Sequence, residues 1–106
     1  MNEYSVVFAP EAEAQLAELY GYIAEKSSAN AALSYTTGIV DYCTTLKTFP
    51  HRGIKRDDLR PGLRITNYKG NAVIAFAVDD TTMTVSIVGV FYGGQDYAVD
   101  LGAGDD

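Results

Sequence analysis

The sequence has few of the residues that build disulfides and metal sites. It contains one cysteine, Cys43, and one histidine, His51, in 106 residues. A single cysteine excludes an internal disulfide, and without a Cys/His cluster a structural zinc site is not expected. We therefore predict no metal and no cofactor. Cys43 falls on the inner face of a predicted helix, where a buried structural thiol is the expected role.

Long apolar runs are missing as well. No stretch approaches the roughly 18 apolar residues that a membrane-spanning helix needs. The N-terminal residues MNEYSVVFAPEAEA lack the basic segment and apolar core of a signal peptide. We expect a soluble protein of the cytoplasm.

Basic residues are scarce and unevenly placed. Eight Lys and Arg stand against 14 Asp and Glu, so the formal net charge is −6. Seven of the eight lie in residues 47–69, a segment with a net charge of +5. The negative field of the whole molecule argues against general nucleic-acid binding, because it repels phosphates. The basic segment has two open interpretations: a solvated connector whose arginines pair with nearby acids, or a docking surface for an acidic partner.

The periodicity of apolar residues predicts the element order β-α-α-β-β-β. Residues 3–8 alternate as in a short strand, and two helical patterns follow, the second over about 31–48. Beyond Pro50 the period changes from 3.6 to 2, and tight turns separate three more strands. The prediction is an α+β fold, with a two-helix antiparallel hairpin packed on one face of a twisted antiparallel sheet. One domain over 1–97 and a flexible acidic tail over 98–106 are expected.

The pattern also predicts which side chains share a face of the sheet. The predicted core comprises Val6, Phe8, Leu16, Leu19, Ile23, Ile39, Leu46, Leu63, Ile65, Ile74, Phe76, Val85 and Ile87. The predicted opposite, uncovered face carries Arg64, Thr66, Tyr68, Thr84 and Ser86, with Val73, Ala75 and Ala77 between them. A slip of one residue in register would exchange the two faces.

Three motifs together resemble a known family. FAPEAEAQLAELYGYIAE, FPHRGIKRDDLRPGLRI and VSIVGVFYGGQDY, in this order and spacing, are similar to the ParE branch of the RelE/ParE toxin superfamily. The resemblance implies a toxin of a type II toxin–antitoxin module that arrests growth by binding and inhibiting DNA gyrase. It also implies neutralisation by a ParD-like antitoxin in a heterotetramer or larger complex, with DNA contacted only through the antitoxin.

Two alternatives stay open beside this interpretation. One is a RelE-like, ribosome-dependent mRNA endonuclease, in which Arg64 would occupy the matching position on a central strand. The last strand and the C-terminus contain no Arg, Lys or His, and His51 has no evident orienting carboxylate, so we predict no catalytic residues and no enzyme. The other is a non-toxic relic that serves as a co-repressor.

Candidate interface residues follow from the exposed basic and aromatic positions and from the resemblance. The candidates for target or antitoxin binding are Arg56, Arg60, Arg64, Tyr68, Tyr92, Asp96 and Tyr97. The candidates for an antitoxin groove are Leu16, Tyr20, Ile23, Tyr35, Val73 and Ala75. Pro61 and Gly62 are predicted to shape a turn, because proline fixes its own φ and glycine permits unusual backbone angles.

Overall fold

The computed structural model describes residues 3–93, which form an α+β fold with the predicted element order. The helices are α1 (Pro10–Lys26) and α2 (Ala29–Thr44), the latter continued by a 3₁₀ turn (Thr45–Lys47). The strands are β1 (Ser5–Phe8), β2 (Ile54–Lys55), β3 (Leu63–Tyr68), β4 (Ala72–Asp79) and β5 (Thr84–Tyr92). The predicted boundary at residue 97 lies outside the described residues. Neither helix is long and apolar enough to cross a membrane.

The helix boundaries follow from local chemistry. α1 begins at Pro10, whose missing N–H is not needed in a first turn, and Glu11 and Glu13 lie near the positive end of the helix dipole. α2 is capped by Ser28, whose Oγ accepts a hydrogen bond from the Ala31 N–H at 3.0 Å. The short linker between the helices makes them an antiparallel hairpin on one face of the sheet.

The sheet is mixed, with strand order β1-β5-β4-β3-β2. β3, β4 and β5 form the predicted antiparallel meander, but β1 pairs in parallel with β5. The helical hairpin carries the chain across the sheet and back, which allows the first and last strands to run side by side in one direction. The two-residue strand β2 lies inside the basic segment, pairs with β3 and was not predicted.

The main core lies between the helical hairpin and the sheet. Its largest fully buried side chains include Phe76, Ile39, Leu46 and Ile87. Burying a side chain of this size stabilises the fold by about 1.5–3 kcal/mol relative to exposure. A second, smaller cluster lies on the other face of the sheet, which we call the far face; it comprises Leu63, Ile65, Ala75 and Phe91, with Leu59, Val73 and Val88 against them.

The predicted faces of β3 are wrong. Arg64 pairs with Phe76 and Thr66 pairs with Ile74, so Arg64, Thr66 and Tyr68 point towards the helices. Leu63 and Ile65 belong to the cluster on the far face. Apolar residues lie against both faces of β3: the main core lies on the helix side, and Leu59 from the connector covers the far face. The strand therefore takes the register opposite to the one that its apolar alternation suggested.

Candidate partner-binding site

The basic connector, residues 47–62, neutralises part of its own charge. Arg56 forms a two-point contact with Asp58, with Nε–Oδ1 and Nη2–Oδ2 distances of 2.9 Å each. This contact holds the pKa of the Asp58 carboxyl below its usual value, the hydrogen bond from Arg56 being the main cause. Lys55 Nζ lies 3.6 Å from an Asp57 carboxylate oxygen. The contacts of Lys55 and Arg56 therefore fit the first interpretation of the basic segment, a solvated connector that pairs with nearby acids.

The predicted turn residues lie at the end of the connector, just before β3. Gly62 has a φ of +79°, a left-handed conformation that favours glycine. Its N–H donates to Asp57 Oδ1 at 2.8 Å, and the Leu63 N–H donates to the Arg60 carbonyl at 3.1 Å. Pro61 and Arg60 are exposed in this turn. The turn holds the Arg60 backbone at the surface, beside the start of β3.

Arg64 fastens the start of the connector to β3. Its Nε donates to the Arg52 carbonyl at 2.9 Å and its Nη2 donates to the His51 carbonyl at 2.6 Å. The side chain is partly buried on the helix side of the sheet. A role of Arg64 in partner binding stays a prediction, while its contacts in the structure are with the chain's own backbone.

A hydrogen-bonded trio joins three segments that are distant in the sequence. The Asp80 Oδ1 accepts from the Tyr4 hydroxyl at 2.6 Å and lies 2.9 Å from His51 Nε2. The Tyr4 hydroxyl and then His51 hold the pKa of the Asp80 carboxyl below its usual value, and the same contact raises the pKa of Tyr4. Sequence reasoning missed this carboxylate beside His51. The separations of 76 and 29 residues left no local signal that could have shown it.

A row of tyrosines fills the gap between α2 and one end of the sheet. Neighbouring ring centroids are 5.4–6.0 Å apart. In order along the row these rings are Tyr22, Tyr92, Tyr35, Tyr68 and Tyr42. The Tyr42 hydroxyl lies 2.9 Å from Thr66 Oγ1. The Tyr35 hydroxyl is buried without a hydrogen-bond partner within residues 3–93, and burial is the main cause that raises its pKa. Two of the predicted contact residues, Tyr68 and Tyr92, are thus half-buried packing residues here.

Two open depressions flank α1. The first, which we call the hairpin groove, lies between α1 and α2, has a volume of about 500 Å³ and is mostly apolar; it is lined by Leu16, Ala17, Tyr20, Thr36, Thr37 and Val40. The second, the β5 cleft, lies between α1 and the end of β5 and has a volume of about 320 Å³; it is lined by Gln15, Glu18, Leu19, Tyr22, Val90, Tyr92 and Gly93.

The six predicted groove residues fall on three different surfaces. Leu16 and Tyr20 line the hairpin groove. Ile23 and Tyr35 are partly buried against the main core, while Val73 and Ala75 belong to the far-face cluster. The structure therefore assembles no single groove from all six. The predicted contact residues Asp96 and Tyr97 lie outside the described residues.

The described part of the chain offers little material for a metal or nucleophile site. Residues 3–93 hold no group of three or more His, Cys, Asp or Glu side chains that could bind a metal ion. Cys43 is buried, as predicted, and burial raises the pKa of its thiol to about 12. The thiol is therefore protonated at neutral pH and chemically inert.

Comparisons with known proteins decide the family. The family model described as "ParE toxin of type II toxin-antitoxin system, parDE" matches residues 6–97. The chain belongs to the ParE toxin family. This match covers most of the sequence and confirms the resemblance carried by the three motifs.

Solved structures share the fold of this ParE-family chain. One, described as a chromosomal ParDE TA system from P. aeruginosa, has a TM-score of 0.73 at 20% identity and covers 85% of this chain and 96% of its own. Another, the toxin–antitoxin complex RelBE2 from Mycobacterium tuberculosis, has a TM-score of 0.61 at 20% identity and covers 86% and 99%. No curated protein sequence matches the chain significantly.

Proposed function

We propose that this ParE-family chain arrests growth by binding and inhibiting DNA gyrase without catalysing a reaction, and that a ParD-like antitoxin neutralises it. The family match over residues 6–97 supports the toxin class. The two solved relatives, described as a ParDE system and a RelBE2 complex, support an antitoxin as the natural partner.

The position of Arg64 is the observation that carries the non-enzymatic part. Cleavage of RNA requires a cation placed to stabilise the charge that develops on the phosphate. Arg64 is the residue that the endonuclease alternative assigns to this role, but its Nε and Nη2 are bonded to the connector carbonyls of Arg52 and His51. Serving a phosphate would require Arg64 to release the connector. A binding role for the surface around it needs no such change.

The charge of the whole chain supports the same choice. At a net charge of −6 and a pI near 4.5, the protein repels the RNA of a ribosome except at its basic connector. Binding to a protein target does not require the acidic chain to approach the phosphates of an RNA.

The antitoxin is proposed to use the hairpin groove together with the basic connector. Tyr20 and Val40 are each more than a third exposed although both are large and apolar, as expected for side chains that a partner covers. An amphipathic segment fits such a groove with its apolar face. Arg60, exposed in the connector turn, would contact carboxylates of the same partner, because a guanidinium binds a carboxylate through two hydrogen bonds.

The target is tested by inducing the chain alone in a bacterium. Plasmid supercoiling, the DNA-damage response and bulk translation are followed over the same minutes, and purified gyrase is assayed with the purified chain. The proposal is supported if supercoiling activity is lost before translation decreases. Early arrest of translation with unchanged DNA topology contradicts it.

The antitoxin surface is tested with two matched variants. Val40→Asp places a charge in the hairpin groove, and Val7→Asp places one on β1, away from the groove, at a similar exposure. We expect Val40→Asp to weaken antitoxin binding by about tenfold or more, since a charge in an apolar contact costs desolvation. Binding is measured by titration calorimetry and folding by circular dichroism. Equal effects of the two substitutions would place the antitoxin elsewhere.

The trio of Tyr4, His51 and Asp80 favours the mRNA endonuclease as the second candidate. Asp80 supplies the carboxylate that can orient His51. The two groups bonded to Asp80, the Tyr4 hydroxyl and the His51 imidazole, can each donate or accept a proton. The test is cleavage of mRNA in a translation extract by the wild type and by His51→Gln. Cleavage that disappears with His51→Gln would favour the endonuclease. Tight antitoxin binding with neither cleavage nor growth arrest would favour the co-repressor relic.

A further inference from the structure

The sheet ends in two edge strands, β1 and β2. β2 is two residues long and contains Lys55, and both features keep an edge strand from pairing with another chain. β1, with the sequence SVVF, contains neither a charged residue nor a proline. Val7 in this strand is 48% exposed although it is large and apolar. The edge at β1 therefore lacks the protection that the edge at β2 has.

The outer edge of β1 presents free backbone groups at two residues. The N–H groups of Ser5 and Ala9 donate inward, to carbonyls of β5 at 2.9 Å each. Because the backbone groups of successive residues in a strand point to opposite sides, those of Val6 and Phe8 point outward. Within residues 3–93 these outward groups have no hydrogen-bond partner. They are the groups with which a further strand would pair.

The chain itself closes both ends of this free edge. At one end, the outward N–H of Tyr4 already donates to the Lys47 carbonyl at 2.9 Å. At the other end, Pro10 has no N–H and begins α1, which packs against β5 and so leaves the edge of β1 open. The groups available for pairing are therefore those of Val6 and Phe8, with Val7 between them.

Two such edges complement each other in a single antiparallel register. When Val6 of each copy lies opposite Phe8 of the other, each pair exchanges both of its N–H···O bonds, and every free group is used. Alignment of Val6 with Val6 would instead place Phe8 opposite Tyr4, whose N–H is already bonded. Alignment of Phe8 with Phe8 would place Val6 opposite Pro10, which has no N–H to donate. The free edge is thus self-complementary, which favours a second copy of the chain over an unrelated strand.

We propose that two copies of the chain pair through β1 in antiparallel orientation, with Val7 on the two-fold axis. A two-fold dimer uses the same patch of both copies, as this register does. Val7 and the partner's Val7 then form a non-hydrogen-bonded pair, the closer kind, in which two β-branched side chains cover each other. The two sheets become one, and the hairpin groove, which lies between the helices, stays open. This inference does not depend on the proposed function.

The proposal is tested by amide hydrogen exchange of the full chain, followed by NMR. The interface is short, so the dimer is expected at high protein concentration. In a sample at about 1 mM, we expect the amides of Val6 and Phe8 to exchange at least about tenfold more slowly than in an unstructured peptide, because each is bonded to the other copy. Exchange of these two amides at the rate of an unstructured peptide would overturn the proposal.

Two substitutions distinguish this edge from the hairpin groove as the dimer interface. Val7→Lys places two like charges face to face, and we expect it to weaken self-association by about tenfold or more in sedimentation equilibrium. Val40→Lys, at a similarly exposed position in the hairpin groove, should leave self-association unchanged. Protection of the Phe76 amide in the main core reports that both variants are folded. A larger effect of Val40→Lys would move the interface to the groove and overturn the proposal.

Cross-linking tests the register. A cysteine on the two-fold axis lies within disulfide distance of its equivalent, so Val7→Cys should form a covalent dimer with oxidised glutathione. Ser5→Cys is the matched control on the same strand and face, because the proposed register separates it from its equivalent by about 13 Å along the strand. The native Cys43 is buried and does not compete. We expect Val7→Cys to cross-link at least about tenfold faster. Equal rates for the two variants would overturn the register.

Discussion

The guanidinium of Arg64 acts as a hydrogen-bond donor within the fold. It bonds to two successive carbonyls, of His51 and Arg52, and thereby holds the start of the connector on β3. Arg52 in turn lies over the Tyr42 ring, 5.1 Å from its centroid. Sequence reasoning counted Arg64 among the partner contacts and expected this side chain on an uncovered face. The observed contacts change its first test from binding to stability.

Replacing Arg64 should destabilise the fold. Arg64→Met leaves two carbonyls without their donors, and we expect a loss of about 1–2 kcal/mol in the free energy of unfolding, measured by urea denaturation. Lys47→Met removes an exposed charge from the same connector and serves as the control. Equal free energies of unfolding for the two variants would contradict the role assigned to Arg64.

The Asp80 carboxylate should make stability depend on pH in the acid range. Its pKa is lowered in the folded state, mainly by the Tyr4 hydroxyl. Such a group stabilises the fold above its unfolded pKa of about 3.9, and the stabilisation is lost as the pH falls through the lower folded value. Asp80→Asn should therefore melt at a lower temperature than the wild type at pH 7.

The same comparison at low pH tests the direction in which the stabilisation by Asp80 changes with pH. The difference in melting temperature between the wild type and Asp80→Asn should shrink as the pH falls below about 4, where the carboxyl becomes protonated. Asp41→Asn, on the exposed side of α2, serves as the control. A difference that is the same at pH 3 and pH 7 would mean that the carboxylate charge of Asp80 does not contribute.

At the scale of elements, α2 approaches the end of β3 closely enough to require a glycine. A Cβ atom built on Gly38 would overlap the Tyr68 hydroxyl and lie 3.2 Å from Cζ of that ring. Gly21, in α1, has nothing within 4 Å of the same position. Both glycines lower helix propensity, but only at Gly38 does a neighbouring side chain leave no room for a Cβ atom.

The two glycines should respond in opposite directions to alanine. Gly21→Ala should stabilise the protein by about 0.5–1 kcal/mol through helix propensity. Gly38→Ala should destabilise it by about 1–3 kcal/mol through overpacking, although alanine is the better helix former. Tyr68→Phe, which removes the overlapping hydroxyl, should restore part of the loss in the double variant. Thermal melts compare the wild type with these variants, and stabilisation by Gly38→Ala would contradict the observed packing.

At the scale of the whole molecule, the charges are segregated. Residues 47–69 carry a net charge of +5 and the remaining chain carries −11. Such a distribution orients an incoming charged partner, since the local field outweighs distant charges beyond a screening length of about 8–10 Å.

Charge reversal in the connector should slow association with an acidic antitoxin segment, on the basis of the proposed function. We expect Arg60→Glu to reduce the association rate by about tenfold at low salt and to flatten its dependence on ionic strength. Lys26→Glu is the matched control, because Lys26 is the basic residue outside the segment. Stopped-flow measurements over a series of salt concentrations compare the two. A larger effect of Lys26→Glu would contradict the assignment of the connector.

The sequence alone determined the two helices, the four longer strands and their order, the acidic body with its basic segment, and the resemblance to the family. These properties depend on the spacing of neighbouring residues, on caps such as Ser28, and on motifs that can be read along the chain. The tertiary structure decided the parallel pairing of β1 with β5, the faces of β3 and the Tyr4–Asp80–His51 trio. A β-strand offers its two faces with equal geometry, so alternation cannot choose between them when both are covered. The contact between Tyr4 and Asp80, which are 76 positions apart, forms only once β1 has paired with β5.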